Sequence, residues 1–180
     1  LEGNLDDAII NVNLDPVLEL SGGDDEISGA FVETPFTSSH TMSLWMKPDD
    51  GRPSAEFRLL AGVGDSWANN LAILGLTTTG DIYYTYKANG NEAVGVTNVA
   101  PFADGPNGWT HVAVTANHST AGANGISIYI NGKEVALDAG GGAGSTGDTS
   151  GVTFADWDGD SATTFAIGAG NGDYEFDGRI

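Results

Sequence analysis

The sequence has 180 residues, enough for one domain with a sizeable core, and 40% of them are apolar against 17% charged. With 27 glycines, this composition excludes a disordered polyanion and a helical bundle rich in Lys and Glu, and it favours a β protein with many turns. The net charge of −19 makes nucleic acids and anionic membranes unfavourable partners, because the chain repels their phosphate groups.

The excess of carboxylates has two compatible explanations. Ca²⁺ accepts several carboxylate oxygens in flexible geometry and would neutralise part of the charge. Adaptation to salty surroundings is the alternative, because dissolved ions screen the repulsion. The chain has no cysteine, which excludes disulfides, thiolate-bound zinc and cysteine catalysis. It also has no run of about 18 apolar residues, so we expect no membrane insertion.

Strand signals recur along the whole sequence, and no window shows a sustained helical stripe. Alternation and flanking turn residues predict strands at Val17–Leu20, Ile27–Val32, Thr41–Lys47, Phe57–Val63, Leu71–Leu76, Ile82–Lys87, Ala93–Thr97, Trp109–Thr115, Gly125–Ile130, Glu134–Leu137, Thr164–Ile167 and Tyr174–Ile180. These strands suffice for two packed sheets. The sequence therefore predicts an all-β fold, a two-sheet antiparallel β-sandwich over residues 17–180. Residues 1–16 would be either a leader or a short opening strand.

The clearest local pattern is a hairpin. Ile126, Ile128 and Ile130 occupy alternate positions, and Asn131-Gly132 follows them with a strong preference for the positive φ angles of a tight turn. We predict that the chain then returns along Lys133–Leu137. Residues 139–150, by contrast, contain no side chain able to anchor a core, which predicts a surface loop.

Five stretches occur in a characteristic order, namely LELSGGDDEISG, TMSLWMKPDD, GWTHVAVT, ISIYINGKEVA and TFAIGAGNGDYEFDGRI. In this order they resemble the laminin-G-like branch of the concanavalin-A-like lectin and glucanase folds. The resemblance implies a jelly-roll sandwich. Trp45 and Trp109 lie in motifs that match the family core, so it also implies that both pack inside the protein. Its pattern usually continues past Ile180 with an acidic residue, so we expect the last strand to be either cut short or completed by residues from elsewhere in a larger protein.

The densest group of oxygen ligands lies in ADWDGDSA, where Asp156, Asp158 and Asp160 occupy alternate positions, with Asp148 upstream. Such carboxylates share one face of an extended chain, or wrap one ion when the chain curls, so we predict a calcium site here. An EF-hand is excluded because Ser161 stands where that loop requires Gly. The alternative is a solvated acidic loop.

A second acidic group, Asp24 and Asp25, follows Gly22-Gly23. The resemblance implies a structural calcium ion near the junction of the first and last strands, with Asp24 or Asp25 as ligands and Asp177 close by. The alternative is an ordinary β-turn, which Gly-Gly-Asp-Asp would form in any case. A third group is interpreted as the exposed face of a strand and comprises Asn171, Asp173 and Glu175.

Aromatic residues in loop-like surroundings are candidates for sugar binding, because the C–H groups of a pyranose ring lie well on an aromatic face. Trp67 with Asn69, and Trp157 within the acidic loop, fit this description. The alternation of β-strands divides the aromatics of Ile82–Lys87 between two faces, but it does not decide which of these tyrosines is exposed.

Catalysis is not expected. The resemblance would imply an acidic motif for a glucanase, "E-x-D-x-E" or "E-x-D-x-x-E", and the sequence contains neither. No serine lies in G-x-S-x-G. We therefore predict a non-catalytic, calcium-dependent carbohydrate- or ligand-binding module of an extracellular or cell-surface adhesin, part of a larger protein and bound to a glycan or another cell-surface ligand. The alternatives are a structural spacer stabilised by calcium and an accessory module of a polysaccharide-degrading enzyme.

Overall fold

A computed structural model describes residues 17–21, 25–31, 39–54, 57–64, 71–88, 91–117, 125–138, 163–169 and 174–180. The described residues form twelve strands: β1 (Glu19–Ser21), β2 (Ile27–Phe31), β3 (His40–Pro48), β4 (Arg58–Gly64), β5 (Leu71–Leu76), β6 (Ile82–Ala88), β7 (Asn91–Val96), β8 (Thr110–Ala116), β9 (Ile126–Ile130), β10 (Lys133–Val135), β11 (Thr163–Ile167) and β12 (Asp177–Arg179). Within these ranges, no helix has the length and hydropathy needed to cross a membrane.

The strands form two sheets of six. The first sheet has the order β1-β12-β3-β8-β9-β10, and the second has the order β2-β11-β4-β5-β6-β7. All neighbouring strands in these sheets run antiparallel. The two-sheet antiparallel β-sandwich predicted from the sequence is confirmed.

The strand boundaries differ from the predicted ones mainly near the end of the chain. The strand predicted over Tyr174–Ile180 is only Asp177–Arg179 in the structure. Tyr174 has a φ of 65°, in the left-handed region, and a residue in that conformation cannot continue a strand. The return strand of the predicted hairpin is also shorter, since β10 ends at Val135 and Leu137 makes only an isolated bridge to Thr97.

The predicted hairpin itself is confirmed. β9 and β10 pair in an antiparallel register that sets Ile130 opposite Lys133. Asn131 and Gly132 have φ angles of 51° and 78°. Positive φ angles at both positions are typical of the two-residue turn whose twist matches the right-handed twist of the flanking strands. Ile126 and Ile128 are buried in the core between the sheets.

Alternation along each strand of the first sheet sends one row of apolar side chains toward the second sheet. In β3 these are Met42, Leu44 and Met46, and in β8 they include Val112 and Val114. The second sheet contributes buried residues from β4, β5 and β6 to the same cluster, which are Leu60, Ala72, Leu74, Leu76, Ile82, Tyr84 and Tyr86. Burial of this shared surface drives the two sheets together.

A hydrogen bond between polar side chains crosses the core between the two sheets. His40 of β3 and Tyr84 of β6 are joined by a hydrogen bond of 2.6 Å between Nε2 and the phenolic oxygen. Tyr84 is completely buried, and desolvation raises the pKa of its hydroxyl well above the ordinary value. The neutral hydroxyl therefore needs a partner inside the protein, which His40 supplies.

The outer face of the second sheet is also covered, since all six residues of β5 are buried. Phe57 lies against this face and packs edge-on against Tyr83 and Tyr174, with ring centroids 5.3 and 5.7 Å apart. A smaller apolar cluster surrounds it and comprises Leu59, Leu71 and Ile73. Gly75 of β5 lets the Phe57 ring approach, because a Cβ at this position would collide with that ring and lie 2.6 Å from the carbonyl oxygen of Arg58.

We therefore expect Gly75→Ala to destabilise the protein by about 1–3 kcal/mol, because the added methyl group would displace Phe57 from the sheet. Urea unfolding monitored by circular dichroism measures the change in the free energy of unfolding. Gly108→Ala is the matched control, since no atom lies within 4 Å of a Cβ built there. Equal stabilities of the two variants would contradict this account of Gly75.

Candidate functional site

Most of the residues predicted to form a site lie outside the described residues. They are the metal candidates Asp24, Asp156, Asp158 and Asp160, the ligand candidates Trp67, Asn69 and Trp157, the upstream Asp148, and Asn171 and Asp173 of the third group. The predicted loop at 139–150 and residues 1–16 also lie outside them. These interpretations therefore stay predictions.

Asp25 is the predicted metal ligand that the structure does describe. Its Oδ2 accepts a hydrogen bond of 2.6 Å from the Ser21 hydroxyl and one of 3.0 Å from the Ser21 backbone N–H. The hydroxyl bond, followed by the backbone bond, lowers the pKa of Asp25 below its ordinary value. These bonds tie the Asp25 carboxylate to Ser21, the last residue of β1.

The predicted junction of the first and last strands is present, because Ser21 in β1 lies opposite Asp177 in β12. Ca²⁺ requires roughly six to eight oxygen ligands. Within the part of the chain that the structure describes, no group of three or more His, Asp or Glu side chains is placed to hold a metal ion. The described residues at this junction therefore do not by themselves fit a calcium ion.

The expectation that Trp45 and Trp109 pack in the core is wrong. Trp45 is 57% exposed and Trp109 is 42% exposed. The reason is the alternation of β3, in which Leu44 and Met46 point inward on either side of Trp45, so that the indole points to solvent. The alternation of apolar residues around Trp45 in the sequence already indicates that Trp45 faces outward, whereas the match to the family motif indicates packing.

The two indoles lie on one outer face of the first sheet. Trp45 in β3 is opposite His111 in β8, and their rings pack with centroids 5.3 Å apart. Trp109 directly precedes β8 and lies two residues before His111, so the alternation of β8, continued by one residue, places it on the same face. Tyr129 of β9 faces this side as well, since its inward-pointing neighbours belong to the core. We call Trp45, Lys47, Trp109, His111 and Tyr129 the aromatic face.

Two cationic side chains at the aromatic face, Lys47 and Arg179, differ in whether they form ion pairs. Arg179 lies opposite Lys47 and forms ion pairs with Glu19 at 2.7 Å and with Asp49 at 3.7 Å. Lys47 forms no ion pair with any residue in the described ranges. The aromatic face therefore keeps an ammonium group available for a ligand.

Within the described ranges, the second sheet offers no comparable surface. Tyr84 and Tyr86 point into the core and are fully buried. Tyr83 points outward but is half-buried, and its hydroxyl donates a hydrogen bond of 3.4 Å to Glu92. Burial, and then the carboxylate of Glu92, raise the pKa of Tyr83 to about 12. Among the described aromatics, Trp45 and Trp109 alone are largely exposed.

We expect Ser21→Ala to raise the pKa of Asp25 without fully restoring its ordinary value, because the hydroxyl bond is lost and the backbone bond remains. Carbon-13 NMR titration of the carboxyl carbon measures the change. The lowered pKa means that Asp25 stabilises the fold above the ordinary carboxylate pKa and loses this contribution as the pH falls through its folded value.

Ser43→Ala is the matched control for this titration. Ser43 is an exposed serine on β3 and has no hydrogen bond to Asp25. Its replacement should leave the titration of Asp25 unchanged. If Ser21→Ala also left it unchanged, the hydroxyl of Ser21 would not be the principal cause of the lowered pKa.

Several solved structures share this fold. The CBM40 module of the Ruminococcus gnavus IT-sialidase is 14% identical, with a TM-score of 0.58 over 92% of this chain and 86% of that one, and it has been solved bound to α2,3- and α2,6-sialyllactose. Botulinum neurotoxin type C, whose cell entry depends on interaction with two ganglioside molecules, is 19% identical, with a TM-score of 0.54 over 90% of this chain and 34% of that one. Domains LG4-5 of the mouse laminin α1 chain are 13% identical, with a TM-score of 0.51 over 88% of this chain and 38% of that one.

At these identities the similarities establish the fold alone. No curated protein matches the sequence closely enough to be recognised as a relative. A family model does match, and it extends over residues 21–180, which is nearly the whole chain. This protein belongs to the concanavalin A-like lectin/glucanases superfamily, in its laminin G group.

Proposed function

We propose that this chain is a non-catalytic carbohydrate-binding module and that it binds its glycan on the aromatic face. The observation that carries the proposal is the pair of exposed indoles, Trp45 at 57% in β3 and Trp109 at 42% directly before the adjacent strand β8. Large aromatic side chains held in water on a rigid surface are typical of binding sites.

The geometry of the aromatic face suits a sugar. Trp45 is opposite His111, so Trp109 is its diagonal neighbour, at roughly 7–8 Å between Cα atoms. Sugar rings bury their C–H groups against indoles, while their hydroxyl groups need hydrogen-bond partners nearby. Lys47, His111 and Tyr129 surround the indoles and can supply these partners.

The solved neighbours support this proposal through their ligands. One was solved with sialyllactose, and another depends on gangliosides for cell entry. They are distant in sequence, so they indicate that the fold accommodates glycans and leave the binding residues of this chain to be argued from its own surface.

We further propose that the module belongs to a secreted or cell-surface protein with several domains, such as an adhesin. The net charge of −19 supports a partner without phosphate groups. An accessory module of a polysaccharide-degrading enzyme would use the same face in the same way, and the two settings differ only in the rest of the protein.

Calcium dependence is a separate part of the proposal. Its support is the sequence of residues 156–160, in which Asp156, Asp158 and Asp160 alternate, together with the large excess of carboxylates. The ion would fix the loop that carries Trp157, and it would reduce the repulsion between carboxylates.

A structural spacer is the second candidate. The same exposed indoles favour it, because a neighbouring domain could cover them instead of a glycan. The two candidates differ in one respect, which is that only a binding module responds to a free oligosaccharide.

We expect Trp45→Ala and Trp109→Ala each to weaken binding to an immobilised glycan by at least roughly tenfold, as the loss of an aromatic anchor usually does. Binding is measured on a glycan array and then by calorimetry with the glycan identified there. Because both side chains are largely exposed, the melting temperature should change little.

Val99→Ala is the control for this pair. Val99 is also an exposed apolar residue, 60% exposed, and lies outside the aromatic face. Its replacement should leave glycan binding unchanged. A wild-type protein that binds no glycan on the array would favour the spacer, and binding that survives both tryptophan changes would place the site elsewhere.

For calcium, we expect a chelator to lower the melting temperature of the wild type, because an ion that binds only the folded state stabilises it. Asp158→Asn should reduce this difference, whereas Asp138→Asn, a change at an exposed acid outside the 156–160 segment, should preserve it. Differential scanning calorimetry with and without Ca²⁺ measures both. Identical melting temperatures of the wild type in Ca²⁺ and in chelator would remove calcium from the proposal.

A further inference from the structure

A polar pocket of about 260 Å³ opens at one end of the sandwich, between the segment after β3 and the start of β12. Its lining includes Arg58, Ser54 and three acidic residues, with the buried Phe176 as an apolar wall. The acidic residues are Asp50, Glu175 and Asp177. Neither the indoles nor the predicted calcium ligands account for this pocket.

The guanidinium of Arg58 is the unusual feature of the pocket. It forms no hydrogen bond and no ion pair with any described residue, although three carboxyl groups line the same space. Arg179 is a useful comparison, because it does reach the carboxylates of Glu19 and Asp49. In the pocket, the cation and the carboxylates instead stand apart across a gap.

A ligand that bridges such a gap must both accept and donate hydrogen bonds. Hydroxyl groups do both, and two adjacent hydroxyls on one ring can accept from the planar guanidinium while donating to carboxylates. A ligand with a carboxylate or sulfate group is disfavoured, because three acids outnumber one Arg in the lining and the whole chain carries −19. The lining therefore fits a neutral sugar.

The pocket lies at the same end of the first sheet as Trp109. The backbone N–H of Asn107 donates to the carbonyl of Pro48 at 3.0 Å, which fixes the segment leading to Trp109 beside the end of β3. Asp50, which lines the pocket, follows Pro48 by two residues, so the pocket begins next to the segment that leads to Trp109.

We propose that this pocket is an end subsite of the aromatic face, and that the ligand is a neutral oligosaccharide whose terminal sugar places adjacent hydroxyls between Arg58 and the carboxylates. This inference rests on the proposed function, since it extends the same glycan beyond the indoles. It also specifies the ligand class, because it requires several sugar residues without acidic groups.

The test compares affinities for a size series of neutral gluco-, xylo- and manno-oligosaccharides, from monosaccharide to hexasaccharide, by isothermal titration calorimetry. In the wild type, affinity should rise with length until the pocket is reached. In Arg58→Gln this gain with length should be lost. The affinity for the longest bound ligand should fall by roughly tenfold, while the affinity for the shortest bound ligand stays unchanged. Arg58→Lys, which keeps the charge but loses the planar fork, should recover only part of the gain.

Lys133→Gln is the matched control, because it removes an exposed positive charge from the far edge of the first sheet. If Arg58→Gln bound every length as the wild type does, the subsite would be excluded while the aromatic face kept its role. If sialyllactose bound more tightly than every neutral glycan, the ligand class would be wrong. Binding to no glycan of either kind would overturn the proposed function itself.

Discussion

The pairing of β3 with β8 is the constraint on which the rest of the structure depends. Its register sets Leu44 opposite Val112 and Met42 opposite Val114, and these side chains face the second sheet as part of the core. Because side chains alternate, the same register sends Trp45 outward. A shift by one residue would bury Trp45 and expose the apolar row, at a large cost in buried surface. The core thus fixes the position of the aromatic face.

The two sheets differ in what lies on their outer faces, and the proposed binding site follows from this difference. Phe57 covers the second sheet through its approach to Gly75, and Tyr83 is withdrawn into that packing. The first sheet keeps Trp45 and Trp109 in water. A sandwich needs its outer faces only to be soluble, so large indoles on one of them have no structural role that the described contacts explain.

The fold could be predicted from the sequence because strands are local patterns: the apolar alternation of Ile126–Ile130 and the Asn131-Gly132 turn determine a hairpin without reference to distant residues. The site could not be predicted in the same way. The motif around Trp45 resembles a family core and so predicts packing, although the position of Trp45 between Leu44 and Met46 indicates the outer face. The pocket around Arg58 brings together residues far apart in sequence, and only the tertiary structure reveals it.

The charge of the chain bears on which ligand the proposed site accepts. In a chain with 25 acidic and 6 basic residues, most carboxylates repel an anionic ligand at long range, and salt screens this repulsion beyond about 10 Å. Within that distance the local partners decide, and Lys47 and Arg58 are cations that no described residue pairs. In the proposed complex each donates to hydroxyl oxygens of the sugar, and beside Arg58 the carboxylates of the pocket accept from the same hydroxyl groups. Recognition of an uncharged sugar is therefore compatible with the field of the whole protein, whereas recognition of an acidic one would have to overcome it.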